Sequence, residues 1–299
     1  MKAARFSRFG GPEVLEIVEL PDPHPGPGEV RIRVRAAGVN ASDWKKRQGL
    51  MDEGLPQTLG HEAAGIVDEL GAGVSDAALG DRVFGASPYG AAQAEFAVLS
   101  LWAPIPGGMD EAEAAVVPAA AETAARALDQ LGVTQGSTVL INGASGGVGS
   151  AAVQFAAHRG ARVIGTGNPL SHDALRGLGA EPVAYGAGMT ERVRAIAPSG
   201  VDRALDVAGK GLAELIDLAG GPERVLTVAD FLGAQRHGVR FSRGDTGRAD
   251  YALAQAAGMA ANGEFAIAVG AAFPLDEIRE AHRIGESGAV RGKLVLLVD

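Results

Sequence analysis

Val139-Leu140-Ile141-Asn142-Gly143-Ala144-Ser145-Gly146-Gly147-Val148-Gly149 decides the fold of this chain. A short apolar, β-branched run stops at a glycine-rich turn, and an alanine-rich helical pattern, Ser150 to His158, follows at once. Strand, turn and helix in that order, with glycines at 143, 146 and 149, describe a dinucleotide-binding unit. Residues without a Cβ let the backbone approach a pyrophosphate, and the helix behind offers free N–H groups and the positive end of its dipole. Gly143, Ser145, Gly146, Gly147, Val148 and Gly149 are therefore read as cofactor-binding residues.

Outward from this turn, strands and helices alternate. Strand 137–141 leads to helix 147–159, strand Ala161–Thr166 to helix His172–Leu178, and the short strand Val183–Ala184 to helix Thr190–Ala197. Strand Val201–Val207, helix Leu212–Ala219 and strand Val225–Val228 continue the pattern. Such alternation builds a parallel, doubly wound sheet. The first ~118 residues read differently, as β-rich. Val30-Arg31-Ile32-Arg33-Val34-Arg35 alternates apolar and charged residues, while Ala64–Val67 and Asp81–Gly85 are short glycine-bounded strands. Pro21 to Gly28 holds four prolines and reads as a loop. Helical patterns cover Asp110–Leu131, interrupted at Pro118, then 249–262 and Pro274–Ile284, and a last strand runs from Lys293 to Val298. The expected domains are 1–118 with 248–299, and 119–247.

Composition narrows the function. At 299 residues with 46% hydrophobic content, the chain is long enough for two domains. A net charge of −9 argues against a nucleic-acid-binding surface. No apolar run is long enough to span a membrane, and Met1-Lys2-Ala3-Ala4-Arg5 lacks the apolar core of a signal peptide. With no cysteine, disulfides, thiolate catalysis and cysteine-ligated zinc are excluded, and a cytoplasmic location is expected.

Several motifs, in order over nearly the whole chain, resemble one family. They are Phe9-Gly10-Gly11-Pro12-Glu13-Val14-Leu15, Ala37-Gly38-Val39-Asn40-Ala41-Ser42-Asp43-Trp44-Lys45, Leu59-Gly60-His61-Glu62-Ala63-Ala64-Gly65, the glycine turn, Phe273-Pro274-Leu275-Asp276, Ala281-His282 and Gly292-Lys293. The family is the zinc-independent medium-chain dehydrogenase/reductases, in the quinone oxidoreductase (zeta-crystallin-like) branch. The resemblance implies an α/β protein with a GroES-like β-barrel catalytic domain and a Rossmann nucleotide-binding domain inserted before the last segment. By analogy it also implies a homodimer.

In a dinucleotide fold an acid at the end of the second strand binds the NAD ribose, and its absence leaves room for a 2′-phosphate. Here that strand ends Gly165-Thr166-Gly167-Asn168, with no acid before Asp173, so NADPH is expected. Relatives often carry a basic residue in the following loop where this chain has Leu170, which leaves Ser171 and His172 as phosphate partners. Thr166, Gly167, Asn168 and Gly209 complete the expected cofactor site, with Thr123 matching a family threonine that faces the nicotinamide. Glu122 stands where the family usually has an apolar residue.

Gly60-His61-Glu62 also occurs in zinc alcohol dehydrogenases, but the cysteine of their Gly-Val-Cys segment is Asn40 here. Catalytic zinc needs three protein ligands, so no metal is expected. His61 and Glu62 are instead expected to hold the floor of the active site by hydrogen bonds. Without a metal, the fitting acceptors are quinones and α,β-unsaturated carbonyls. Hydride addition at the β carbon moves charge onto the carbonyl oxygen, where hydrogen-bond donors are needed. Asn40 and Lys45, one of five lysines, are the expected donors, with Asp43 orienting Lys45. Tyr89, Trp44, Phe231 and Phe241 are candidate pocket aromatics. The expected activity is NADPH-dependent reduction of quinones or activated enones. The alternatives are a tailoring enoyl reductase acting on a polyketide-like intermediate and a non-catalytic nucleotide-binding relative.

Overall fold

The computed structural model describes residues 1–244 and 246–299, which form two compact units. One comprises Met1–Ala119 with Tyr251–Asp299, the other Ala120–Asp250.

The second unit is built on six parallel strands: Thr138–Asn142, Arg162–Gly167, Ala180–Ala184, Arg203–Asp206, Val225–Thr227 and Arg240–Phe241. Numbered in chain order they lie 3-2-1-4-5-6, the Rossmann order. Helices separate consecutive strands, among them Gly147–His158, Met189–Ile196 and Leu212–Ala219. Leu140, Ile164 and Ala204 from the strands pack with Val193 and Leu215 from the helices in one buried cluster. Burial on both faces explains why the central strands are continuous apolar runs rather than alternating ones. Thr138–Asn142 pairs with the second strand on one side and the fourth on the other, which makes its carboxyl end the switch point where ligands bind such sheets. The sixth strand, only two residues at the sheet edge, carries too short a pattern to be read from sequence.

The first unit holds a larger, mainly antiparallel sheet. Val30–Val39 is its spine, pairing with Lys293–Leu297, Glu62–Leu70 and Phe96–Leu99. Val30, Ile32 and Val34 point into the core while Arg31, Arg33 and Arg35 face outward, as the alternation requires. A correction concerns Pro274: it ends a strand, Val269–Pro274, and the helix begins later, at Ile278. The strand pairs in parallel with Lys293–Leu297, a partner that its own six residues do not disclose. Among the described residues no helix is long and apolar enough to cross a membrane.

The helix Ile278–Ser287 packs Ile278 and Ala281 into this unit's core and buries His282 completely. Neither ring nitrogen of His282 has a hydrogen-bond partner among the described residues, and the Trp44 ring lies edge-on at 6.3 Å. Burial, and next the buried Arg47 guanidinium, push His282 down to about 3. Below the ordinary value of 6.5 the unfolded chain takes up a proton that the folded chain refuses, so stability falls from there down to about pH 3. At pH 5 this one group costs about 2 kcal/mol relative to pH 8. His282→Leu is expected to remove that part of the acid sensitivity. Urea midpoints of both proteins at the two pH values check it, and equal losses would refute it.

Candidate functional site

In the Rossmann unit, the turn after Thr138–Asn142 is shaped by backbone geometry. Gly143 sits at φ +88°, a left-handed conformation that a side chain would strain. A Cβ on Gly149 would lie 2.2 Å from the Gly143 carbonyl oxygen, so strand end and helix start touch backbone to backbone. Ser145 and Gly146 are exposed, Gly147 and Val148 half-buried. Gly146 is the helix N-cap at φ −82°, and the nearest atom to a Cβ built there is 3.6 Å away. The turn is thus a bare cradle beside a 12-residue helix's N-terminus, and these residues fit the pyrophosphate of a dinucleotide.

This geometry separates binding from folding. Gly146→Ala is expected to cost at most about 1 kcal/mol of stability, since the backbone suits any residue and only the cap weakens. The added methyl stands in the cradle, so dinucleotide affinity is expected to drop at least about tenfold. Isothermal titration with NADPH beside a melting curve checks both, and unchanged affinity would remove Gly146 from the site.

The residues expected to sense the ribose lie at the end of the second strand. Thr166 is buried, and its hydroxyl is engaged on both sides: it donates to Asn142 Oδ1 at 2.7 Å and accepts the Gly143 N–H at 3.0 Å. Its hydroxyl therefore supports the turn directly. Gly167 is packed against Leu175 and Ser145. Asn168 Oδ1 accepts the Leu170 N–H at 3.0 Å, capping the short turn that buries Ser171. His172 is half-buried, and its Nε2 has no hydrogen-bond partner among the described residues. Gly209 sits at φ +70° and donates its N–H to Asp206 Oδ1 at 3.0 Å. Thr123 lies half-buried on the helix Pro118–Leu131, with Arg126 Nη2 at 3.5 Å from its hydroxyl. Glu122 is not a loose charge. Its side chain is 12% exposed and forms a two-pronged pair with Arg126, at 2.8 and 3.2 Å.

In the barrel unit a second polar cluster forms where three strand ends meet. Val39 pairs with Leu294 and Ala37 with Ala63, which brings Asn40, Glu62 and Lys293 together. Asn40 Nδ2 donates to Glu62 Oε1 at 2.8 Å, and Lys293 Nζ donates both to that oxygen, also at 2.8 Å, and to Asn40 Oδ1. Glu62 Oε2 accepts the Ala119 N–H at 2.7 Å. An ammonium only donates and a carboxylate only accepts, so the two partners fix which way the Asn40 amide faces. The amide nitrogen carries two hydrogens, and Glu62 takes one. Gly38 is glycine for a local reason: a Cβ there would lie 2.2 Å from Glu62 Oε1.

Lys45 is the correction here. It is exposed in the last turn of the helix Ala41–Arg47, and the lysine that meets Asn40 is Lys293, 253 positions away. Asp43 does not orient Lys45 either. Its Oδ2 accepts the Asn40 N–H at 2.8 Å and Gln93 Nε2 at 3.2 Å, while Oδ1 has no hydrogen-bond partner among the described residues. Asp43 is fully buried, and burial pushes its carboxyl up, with His61 the largest opposing influence. Burial likewise pushes His61 down, against the pull of Asp43. The aromatics are anchored locally. Tyr89 is 66% exposed and donates to Glu29, Trp44 packs on the core, and Phe231 stacks edge-on against Phe241 at 5.3 Å.

A family model described as the alcohol dehydrogenase GroES-like domain matches residues 26–125, and one described as zinc-binding dehydrogenase matches residues 178–296. Human quinone oxidoreductase is 31% identical over 331 residues, covering 100% of this chain and 98% of that protein. The spectinabilin polyketide synthase system protein NorB of Streptomyces orinoci is 42% identical over 147 residues, which are 49% of this chain and 7% of that protein. The chain therefore spans only a small fraction of that synthase. Among solved structures, the quinone oxidoreductase from Coxiella burnetii superposes with a TM-score of 0.85 at 31% identity, covering 100% of this chain and 99% of the other. A mycobacterial protein complexed with NADPH superposes with a TM-score of 0.84 at 30% identity, covering 99% of each chain.

This chain belongs to the quinone oxidoreductase family of the medium-chain dehydrogenase/reductases and is built from a GroES-like and a Rossmann domain. The donor set does not fit the zinc ion in the second family model's description. There is no cysteine, and among the described residues no three His, Cys, Asp or Glu side chains converge. Both Glu62 oxygens are taken by N–H donors, one of them a lysine ammonium.

Proposed function

We propose that this chain is an oxidoreductase that uses NADPH to reduce quinones or activated α,β-unsaturated carbonyls without a metal. The observation that carries this reading is the Asn40–Glu62–Lys293 cluster, an amide locked in one orientation by a buried ion pair in place of a metal-ligand set. Bound nicotinamide supplies the hydride. Asn40 then offers its amide hydrogen to the oxygen that gains charge, and the neighbouring Lys293 ammonium makes that position more positive. Such donors act only on acceptors that are already electrophilic, which favours quinones and enones over simple alcohols.

The preference for NADPH rests on the second strand. It ends in Gly167, followed by Asn168, with no carboxylate to repel a 2′-phosphate. Ser171 and His172 are the proposed phosphate partners. Thr123, the turn residues 143 and 145–149, and Gly209 complete the proposed dinucleotide site. The chain is further proposed to work as a cytoplasmic homodimer, which light scattering tests for the assembly.

A second reading has its own support in the 42% identity to a polyketide synthase segment, namely reduction of an enoyl thioester in a biosynthetic sequence. The test is NADPH consumption with benzoquinone, phenanthrenequinone, an enone, an enal and an enoyl thioester, with NADH run in parallel. Quinone or enone turnover preferring NADPH supports the first reading, and thioester turnover alone supports the second. NADPH binding without turnover would point to a non-catalytic role.

A further inference from the structure

The carboxyl ends of four neighbouring parallel strands are joined by a chain of side-chain hydrogen bonds that neither the glycine turn nor the barrel cluster accounts for. It runs from Thr166 on the second strand to Asn142 on the first, Asp206 on the fourth and Thr227 on the fifth. Thr166 Oγ1 donates to Asn142 Oδ1 at 2.7 Å, and Asn142 Nδ2 donates to Asp206 Oδ1 at 3.0 Å. From the other side, Thr227 Oγ1 donates to Asp206 Oδ2 at 2.7 Å. All four residues are buried.

The direction of every bond is determined. A carboxylate only accepts, so the Thr227 hydroxyl must donate to it and Asn142 must turn its NH2 toward it. The Asn142 oxygen then faces Thr166, whose hydroxyl donates to it and keeps its lone pairs for the Gly143 N–H. Asp206 is thus the common acceptor of a polarised chain, in which each bond strengthens the next.

What hangs from the chain gives it meaning. Beyond the strand ends, each member holds backbone of a loop at the switch point. Thr166 holds the Gly143 N–H of the nucleotide turn. Asn142 Nδ2 also donates to the Lys210 carbonyl at 2.8 Å. Asp206 Oδ1 accepts the N–H groups of Ala208 and Gly209, each at 3.0 Å. Thr227 Oγ1 accepts those of Ala229 and Asp230, each at 3.1 Å. The strands have their own backbone pairing and do not need these bonds to form a sheet.

We propose that Thr166, Asn142, Asp206 and Thr227 are positioning residues of the dinucleotide site, a single ladder that sets the relative placement of the loops at 143–149, 207–210 and 228–230. This rests on the reading of the turn as a dinucleotide site. Thr227 is the informative member, because its hydroxyl touches no residue of the glycine turn and acts on it only through Asp206 and Asn142.

The test uses Thr166→Val, Thr227→Val, the double variant and the two Thr→Ser variants. NADPH affinity is read by titration, and backbone hydrogen exchange of residues 143–150 is read in the free protein. Each valine variant is expected to bind NADPH about tenfold more weakly, because the loops it releases must be ordered again on binding. The double variant is expected to lose about tenfold as well rather than about a hundredfold, because either break interrupts the same chain. Serine at either position restores affinity, and Thr227→Val speeds exchange at Gly143 and Ala144. A folded Thr227→Val protein that binds like the wild type, or losses that multiply in the double variant, would overturn the ladder. If wild-type protein binds no dinucleotide, the functional reading fails instead, and the exchange rates alone then decide the ladder.

Discussion

Lys293→Met is expected to destabilise the barrel unit by about 3–5 kcal/mol, the usual consequence of removing one partner of a buried ion pair. Glu62 is fully buried and the Lys293 side chain only 11% exposed, so water cannot replace the lost ammonium. Glu62 would keep its bonds from Asn40 Nδ2 and the Ala119 N–H, which satisfy lone pairs but do not neutralise its charge. Against a total stability of about 5–15 kcal/mol, that is a large fraction. Asn40 also loses the donor that holds its oxygen, and the site loses the ammonium charge beside the amide. Turnover of whatever substrate the wild type accepts is expected to fall further than the unfolded fraction explains. The double variant Glu62→Gln with Lys293→Met is expected to regain most of the stability but not the activity, since the buried charge is gone and the Asn40 amide now lacks both partners that fixed its orientation. Urea unfolding of the three variants checks this, and a loss below about 1 kcal/mol for Lys293→Met would mean that the pair is effectively solvated.

Gly149→Ala is the second large effect, and its cause is steric. The new Cβ would stand 2.2 Å from the Gly143 oxygen, 2.7 Å from Ala144 Cα and 2.9 Å from the Ala144 carbonyl carbon. All three are backbone atoms of a turn that is itself held to Thr166, by the Gly143 N–H and by the bond from the Ala144 N–H to the Thr166 carbonyl. No side chain can swing aside, so the helix must move away from the strand end. Overpacking of this kind costs about 3 kcal/mol and displaces the N–H groups at the helix start. Both stability and NADPH affinity are expected to fall together, in contrast to Gly146→Ala, where affinity falls with a stability loss of at most about 1 kcal/mol. Melting curves and titrations of the two alanine variants side by side make the comparison. A Gly149→Ala protein as stable as the wild type would show that the strand–helix contact is looser than the backbone geometry requires.

The parts that could be read from sequence share a physical character. The glycine turn is specified by neighbours within seven residues, because strand end, turn and helix start are consecutive in the chain. The alternating spine Val30–Arg35 and the apolar central strands announce their environments by periodicity alone. The cluster around Asn40 was legible only by half. Asn40, Lys45 and Glu62 stand out by their place in motifs, but Lys45 shares only a stretch of sequence with Asn40 and does not bond to it. The lysine that meets Asn40 and Glu62 opens the last strand, where a polar residue precedes the apolar run Leu294–Leu297. That charged start beside a buried run, in a chain with five lysines, was the available signal. Asn142 and Thr227 carried no local signal, since each is one polar residue ending an ordinary strand, and Asp206 stands out only by closing the fourth strand beside Gly209.

By itself the sequence determined the two-domain α/β organisation, the dinucleotide turn and the absence of a cysteine-based metal site, because these follow from local periodicity, backbone freedom at glycine and residue types. Only the tertiary structure decided which side chains meet: Lys293 rather than Lys45 at Asn40, Glu122 on Arg126, and the ladder from Thr166 to Thr227. Such contacts depend on strand order and register, which long-range pairing sets and no short stretch of chain contains.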